Sequence, residues 1–393
     1  MTKLEELIQE LCPNGVEYRT LNTICNVYDG THQTPQYTDS GIKFASVENI
    51  ADPYATEKYI SVSDYEKYKI KPQRNDLLMT RIGSIGVCTV IESDEPLAYY
   101  VSLALLRPDN SILNSRYLKY AIESLHCRKE LRKRTLVNAV PIKINMGDIG
   151  KITLPVPPLP VQREIVRILD NFTELTAELT AELTARKKQY EFYRDKLLTF
   201  GDVRGGATSD VIRRTLGEVC KISAGGDAPK DSMSKQKTEK YSVPIISNGI
   251  GENALYGYTD APKVEEPAVT VAARGTIGYA EYRDYPFYPI IRLLTAIPKD
   301  STVVNTKYLY YCLQGKQYSV PMGGIPQLTA PELKKVEIPI PSLDVQNRIV
   351  QVLDNFDAIC TDLSSGLPAE IEARQKQYEY YRDKLLTFRE ISN

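Results

Sequence analysis

The chain is written twice. Val161-Gln162-Arg163 through Leu169-Asp170-Asn171-Phe172 returns as Val345-Gln346-Asn347-Arg348 through Leu353-Asp354-Asn355-Phe356, 184 residues later. Gln189-Tyr190-Glu191-Phe192-Tyr193-Arg194-Asp195-Lys196-Leu197-Leu198-Thr199-Phe200 returns as Gln377 through Phe388, 188 residues later. Weaker matches lie between: Arg19-Thr20-Leu21 with Arg214-Thr215-Leu216, Gly83-Ser84-Ile85-Gly86 with Gly275-Thr276-Ile277-Gly278, and Tyr117-Leu118 with Tyr308-Leu309. A repeat of this length demands a fold of two like halves, related by a pseudo-two-fold. In each half a divergent globular module precedes a closely matched helical segment. The helices answer to one constraint and the modules to two different ones.

Each helical segment follows a proline-rich stop, Pro155 to Pro160 and Pro339 to Pro341. Proline suits a strand exit and a first helical turn. Ile165, Ile168, Leu169, Phe172, Leu175, Leu179 and Leu183 form one apolar stripe at helical period, continued by Tyr190, Tyr193 and Leu197. Forty helical residues span ~60 Å, more than one small domain covers. Two such helices most simply pair as an antiparallel coiled coil, with Tyr378, Tyr381 and Leu385 on the second seam. Tetrads Thr176-Ala177-Glu178-Leu179 and Thr180-Ala181-Glu182-Leu183 read either as good helix sequence or as a length adjuster. Each added tetrad would lengthen a rod by ~6 Å and turn it by ~40°. The second segment carries four extra residues and an interruption, Ser364-Ser365-Gly366-Leu367-Pro368. Pro368 is expected to kink that helix or to restart it with Ser365 as a cap.

The expected class is α+β: two globular domains joined by two long antiparallel coiled-coil helices. The first domain is expected at 1–156, the central helix at 157–200, a linker at 201–212, the second domain at 213–340 and the C-terminal helix at 341–393.

Charge is segregated. The total of 49 Lys and Arg against 50 Asp and Glu nets −1 and excludes a strongly basic binder. Residues 14–156 nevertheless hold 18 basic against 16 acidic residues, and 213–340 hold 16 against 13. The modules are therefore mildly cationic and the helices carry the acid, the sense expected of modules that meet phosphate. The sharpest basic cluster is Arg128, Lys129, Arg132, Lys133 and Arg134 at the end of an expected helix. It reads either as a turn complementing the helix dipole or as a phosphate contact. The turns Gly83-x-x-Gly86 and Gly275-x-x-Gly278, near Arg81 and Arg274, need backbone freedom. They could also bring Arg81, Ser84, Arg274 or Thr276 to a base edge, where arginine pairs with guanine through two hydrogen bonds.

Catalytic signatures are missing. The chain holds no G-x-x-x-x-G-K-[ST] loop, no G-x-G-x-x-G, no G-x-S-x-G elbow and no H-E-x-x-H. Its only histidines are His32 and His126, and seven scattered cysteines make no C-x-x-C pair. A metal site, a disulfide framework and a duplicated enzyme are not expected. No apolar run reaches the ~18–20 residues that span a bilayer, and Met1–Glu6 lacks a signal-peptide layout, so a reducing cytoplasm is the expected setting.

The helix starts at 158–172, the Thr-Ala-Glu-Leu tetrads and the Gln-Tyr-Glu-Phe-Tyr-Arg-Asp-Lys-Leu-Leu-Thr-Phe ends resemble type I restriction-modification specificity subunits, over essentially the whole chain. That resemblance implies that the two modules are target recognition domains, each reading half of a split site in double-stranded DNA. It implies that the helices set the spacer through tetrad number and dock two modification subunits, with restriction subunits completing a defence against foreign DNA. It implies no cofactor in this chain, with S-adenosylmethionine, ATP and Mg bound by those partners. Gly366 and Pro368 interrupt the second helix and leave its spacer length open. The alternatives are a protein-only coiled-coil scaffold joining two partners, which would bind no DNA, and a stand-alone enzyme, which would need a motif the chain lacks.

Overall fold

The computed structural model of the chain describes residues 2–200, 211–318, 326–362 and 365–391. The linker expected at 201–212 falls outside the described residues except for its last two, and Ser364 falls outside as well. The helices of eight or more residues are α1 (Lys3–Leu11), α2 (Ser115–Glu123), α3 (Leu125–Arg134), α4 (Leu159–Thr199), α5 (Thr306–Leu313), α6 (Leu343–Thr361) and α7 (Leu367–Leu385). Among the described residues no helix is long and apolar enough to cross a membrane. Two compact units divide the chain: Met1–Thr180 with Glu370–Asn393, and Ala181–Ala369.

In the first unit a four-stranded antiparallel sheet has the order Cys25–Asp29, Leu103–Pro108, Leu77–Thr80, Cys88–Val90. Its central strand alternates strictly between two cores, because successive side chains leave opposite faces. Ala104 and Leu106 pack with Tyr117 and Leu118 of α2 and with Val161, Ile165 and Leu169 of α4. Leu103 and Leu105 face the other way, with Ala45, Leu97 and Tyr99 of a second four-stranded sheet. That sheet runs Tyr37–Thr38, Tyr59–Ile60, Ile42–Ala45, Leu97–Tyr99, the last pair parallel.

The second unit repeats this topology. Its first sheet runs Cys220–Ala224, Leu293–Pro298, Ala268–Ala272, Ala280–Arg283. Its second runs Met233–Ser234, Leu255–Thr259, Val243–Ile246, Tyr288–Pro289, again ending in a parallel pair. The registers superpose residue for residue: Met79 faces Ala104 as Val271 faces Leu294, and Asp29 faces Ala104 as Ala224 faces Leu294.

A buried glutamine ties each module to the start of its helix. The Gln162 Oε1 accepts from Asn114 N at 2.8 Å, and its Nε2 donates to the carbonyls of Ile112 and Pro157 at 2.8 and 2.7 Å. Gln346 repeats all three bonds with Asn305, Val303 and Pro341 at 2.9, 2.8 and 2.9 Å. Only a side-chain amide offers one acceptor and two donors in that fork. Beside it, Tyr120 donates to Asp170 and Tyr311 to Asp354, while Arg116 and Lys307 pair with the same two carboxylates.

The helical segments pair as antiparallel neighbours do. In the first unit the early part of α4 meets the late part of the C-terminal segment, with Phe172 stacked on Tyr381 at 5.4 Å. In the second unit the late part of α4 meets α6, with Tyr193 stacked on Phe356 at 6.0 Å. These four residues are repeat equivalents with the roles exchanged. Tyr190 and Leu197 join Ile349 and Leu353 in the second unit, and Tyr378 and Leu385 pack on the first unit's core. Leu179 and Leu183 are half-buried and Leu175 is exposed, so the tetrad leucines cover less than the ends of the rod do.

The second segment is two helices of 19 residues, not one. The 184-residue offset holds to Thr361, and the 188-residue offset holds from Leu367. The four extra residues therefore lie in the break and not in added helical turns. Gly366 N donates to Asp362 O at 3.0 Å, and a Cβ there would lie 2.7 Å from the carbonyl oxygens of Ala358 and Asp362. Pro368 stands in the first turn of α7, where its missing N–H costs nothing.

Candidate nucleic-acid interface

In the first module the residues between strands Leu77–Thr80 and Cys88–Val90 form the turn expected at Gly83–Gly86. Gly83 and Gly86 hold φ of +82° and +83°, a region open to glycine. Gly86 N donates to Thr80 O at 2.9 Å and closes the turn. A Cβ on Gly83 would meet nothing, whereas one on Gly86 would lie 2.6 Å from Leu131 Cδ1 of α3. The turn is thus seated on α3, with Gly83 and Ser84 outward.

Helix α3 is capped by Ser124, whose Oγ accepts from Cys127 N. It is fastened by Cys127 and Leu131, both buried, with Glu130 and Arg134 half-buried and its other residues facing water. Arg128, Lys129, Arg132 and Lys133 are exposed. Lys133 and Arg134 pair with Glu130 at 2.8 and 2.7 Å and hold its carboxyl below the usual range. Arg128, Lys129 and Arg132 form no ion pair among the described residues. Past α3 the chain makes a hairpin that is bridged to the turn, with Gly83 N donating to Ile142 O at 2.9 Å. Turn, basic helix and hairpin therefore share one edge of the first module.

Arg81 does not belong to that edge. It is 7% exposed and donates to Asp29 Oδ1 at 2.6 Å and to the carbonyls of Val101 and Ile144. Asp29 also takes His32 Nε2 at 2.9 Å. In this arrangement Arg81 ties strand to loop and is not available to a base. The shared register sets Arg81 against Ala273, not Arg274, as Ile144 N to Arg81 O and Leu328 N to Ala273 O confirm. Arg274 is half-exposed, and its carbonyl accepts from Asn248 Nδ2 at 2.6 Å. Thr276, exposed in the turn of Gly275 and Gly278, donates to Asn248 O at 3.2 Å.

Along the helices, Tyr190 is buried, donates to Gln314 Oε1 at 2.6 Å and has its phenol pushed up to about 12 by burial. The gluing role of Gln162 and Gln346 had no signal in the sequence except their identity within the repeat. Among the described residues no group of three His, Cys, Asp or Glu side chains is placed to hold a metal.

The family model of the type I restriction modification DNA specificity domain matches the chain twice, over residues 13–186 and 209–373. A putative type I specificity subunit of Mycoplasma pneumoniae is 36% identical over 298 residues, 72% of this chain and 85% of that one. The EcoR124I/EcoR124II specificity subunit of Escherichia coli is 35% identical over 61% of this chain and 63% of that one. Among solved structures, a chain from a study of complex assembly and conformational transition of the type I restriction-modification system aligns with a TM-score of 0.66. That alignment covers 95% of this chain and 98% of that one at 16% identity. The S subunit from M. genitalium aligns with a TM-score of 0.53 at 15% identity, over 95% and 96% of the two chains.

Proposed function

Because the chain belongs to the family of type I restriction-modification specificity subunits, we propose that each of its modules reads one half of a bipartite site in double-stranded DNA. One observation carries this reading. The same strand order and register occur twice, while the side chains laid on them differ. Two readers of one design, facing opposite strands of a duplex, address two half-sites, and unlike side chains address unlike sequences.

In this reading the paired helical segments fix the separation of the half-sites and dock two modification subunits. Catalysis lies with partners. The modification subunits transfer methyl from S-adenosylmethionine to an adenine flipped out of the stack. Restriction subunits supply ATP- and Mg-dependent cleavage. Removing Thr180–Leu183 would shorten α4 by ~6 Å and rotate its downstream part by ~40°. Matching DNA would have to be moved or twisted, at an elastic cost.

Sequencing of methylated adenines in the host, with and without this gene, tests the proposal. A split motif with two unlike halves that vanishes with the gene is expected. Unchanged methylation, or a sequence-blind footprint of the complex, would refute it.

A further inference from the structure

The hairpin after α3 has surface chemistry that the fold does not need. Its base is fixed by Leu136 N to Lys143 O at 2.8 Å and by the bridge of Ile82 to Lys143. Val137 and Val140 at its tip and Leu136 and Ile142 near its base are exposed, Val140 fully so. Burying one such side chain is worth roughly 1.5–3 kcal/mol, so a hairpin held open to water with four of them is poised to cover something. The helix that leads into it, α3, carries Arg128, Lys129 and Arg132, which are exposed and form no ion pair among the described residues. An apolar loop following directly on a basic helix matches a duplex groove, with phosphates at the rim and base edges, thymine methyls included, on the floor. The major groove, ≈ 12 Å wide, admits elements as large as an α-helix or a two-stranded ribbon, and this loop is closed at its base by a single bridge, Leu136 to Lys143.

We propose that the hairpin of residues 135–143 enters the major groove, with Val137 and Val140 against base edges and Arg128, Lys129 and Arg132 on the flanking phosphates. It is then the specificity-determining element of the first half-site. This rests on the reading of the first module as a DNA reader.

The test uses the chain assembled with its modification subunits, on a duplex carrying the motif it methylates and on a scrambled duplex. V137S/V140S changes only exposed side chains. It is expected to weaken motif binding roughly tenfold while leaving scrambled DNA and the salt dependence unchanged. R128A/K129A/R132A is expected to weaken both duplexes and to lower the slope of log affinity against log salt by up to about 3. Undiminished discrimination by V137S/V140S overturns the hairpin assignment, as does its failure to assemble with the modification subunits, which would make the loop a protein-docking surface. Wild-type complex that cannot tell the two duplexes apart overturns the parent reading and this one together.

Discussion

The two modules share a skeleton and differ in what they bury. In the first, Asp29 pairs with Arg81 at 2.6 Å and Asp76 with Arg107 at 2.7 Å. At the matching registers the second module has Ala224 with Ala273 and Ala268 with Ile297. Both partners changed together each time. That is the outcome expected where a lone buried charge is costly but an apolar pair of similar placement is tolerated. Glu123, the half-buried last residue of α2, likewise stands where the second module has Gln314. The backbone topology is therefore indifferent to these exchanges, and the modules are free to diverge in surface chemistry while the helices stay matched.

The comparison can be broken at Asp76, whose side chain is 3% exposed. Arg107→Ala should destabilise the first unit by about 3 kcal/mol, since it leaves that carboxylate buried and unpaired. Asp76→Ala with Arg107→Ile, which copies the second module, should return to within about 1 kcal/mol of wild type. Urea unfolding of the full chain, with hydrogen exchange assigning the unit, reads both. If the double variant is as unstable as the single one, the modules are not interchangeable frames.

A smaller effect sharpens the likeness. Gln162→Ala orphans the Asn114 N–H and the carbonyls of Ile112 and Pro157, and should cost about 2 kcal/mol. Gln346→Ala should cost the same, because it loses the same three bonds. Unequal costs in the same unfolding experiment would mean that the two joints differ.

The smallest effect separates the units by pH. Burial raises the Glu123 carboxyl, so its ionised form is disfavoured in the folded state. Stability of the first unit is thus fullest below the ordinary carboxylate range and falls as pH rises through the raised value. Glu123→Gln should remove that fall while keeping an acceptor for Cys88 N. Stability curves against pH that overlay for wild type and variant would contradict it.

The helical frame was legible because its signal is long. The stripe from Ile165 to Leu197, the doubled Gln-Tyr ends and the breaking Pro368 each state their role in sequence. The glycine turns were legible because φ near +80° leaves few residue choices. The sheets were not. Strands of two to six residues have little periodicity, and their order depends on partners as far apart as Tyr18 and Pro155. Arg81 shows the same limit: proximity to a turn suggested an outward side chain, and only the register of its strand reveals Asp29 beneath it. The hairpin at 135–143 escaped notice because an apolar residue in a loop is visible as exposed only once the chain is folded.

The central claim is that two independent readers share one frame. Exchanging residues 213–340 for the corresponding module of another family member, then mapping methylated adenines in cells carrying the chimera, tests it most directly. One half of the motif should change to the donor's sequence while the other half and the spacer persist. A motif altered in both halves, or in neither, would contradict it.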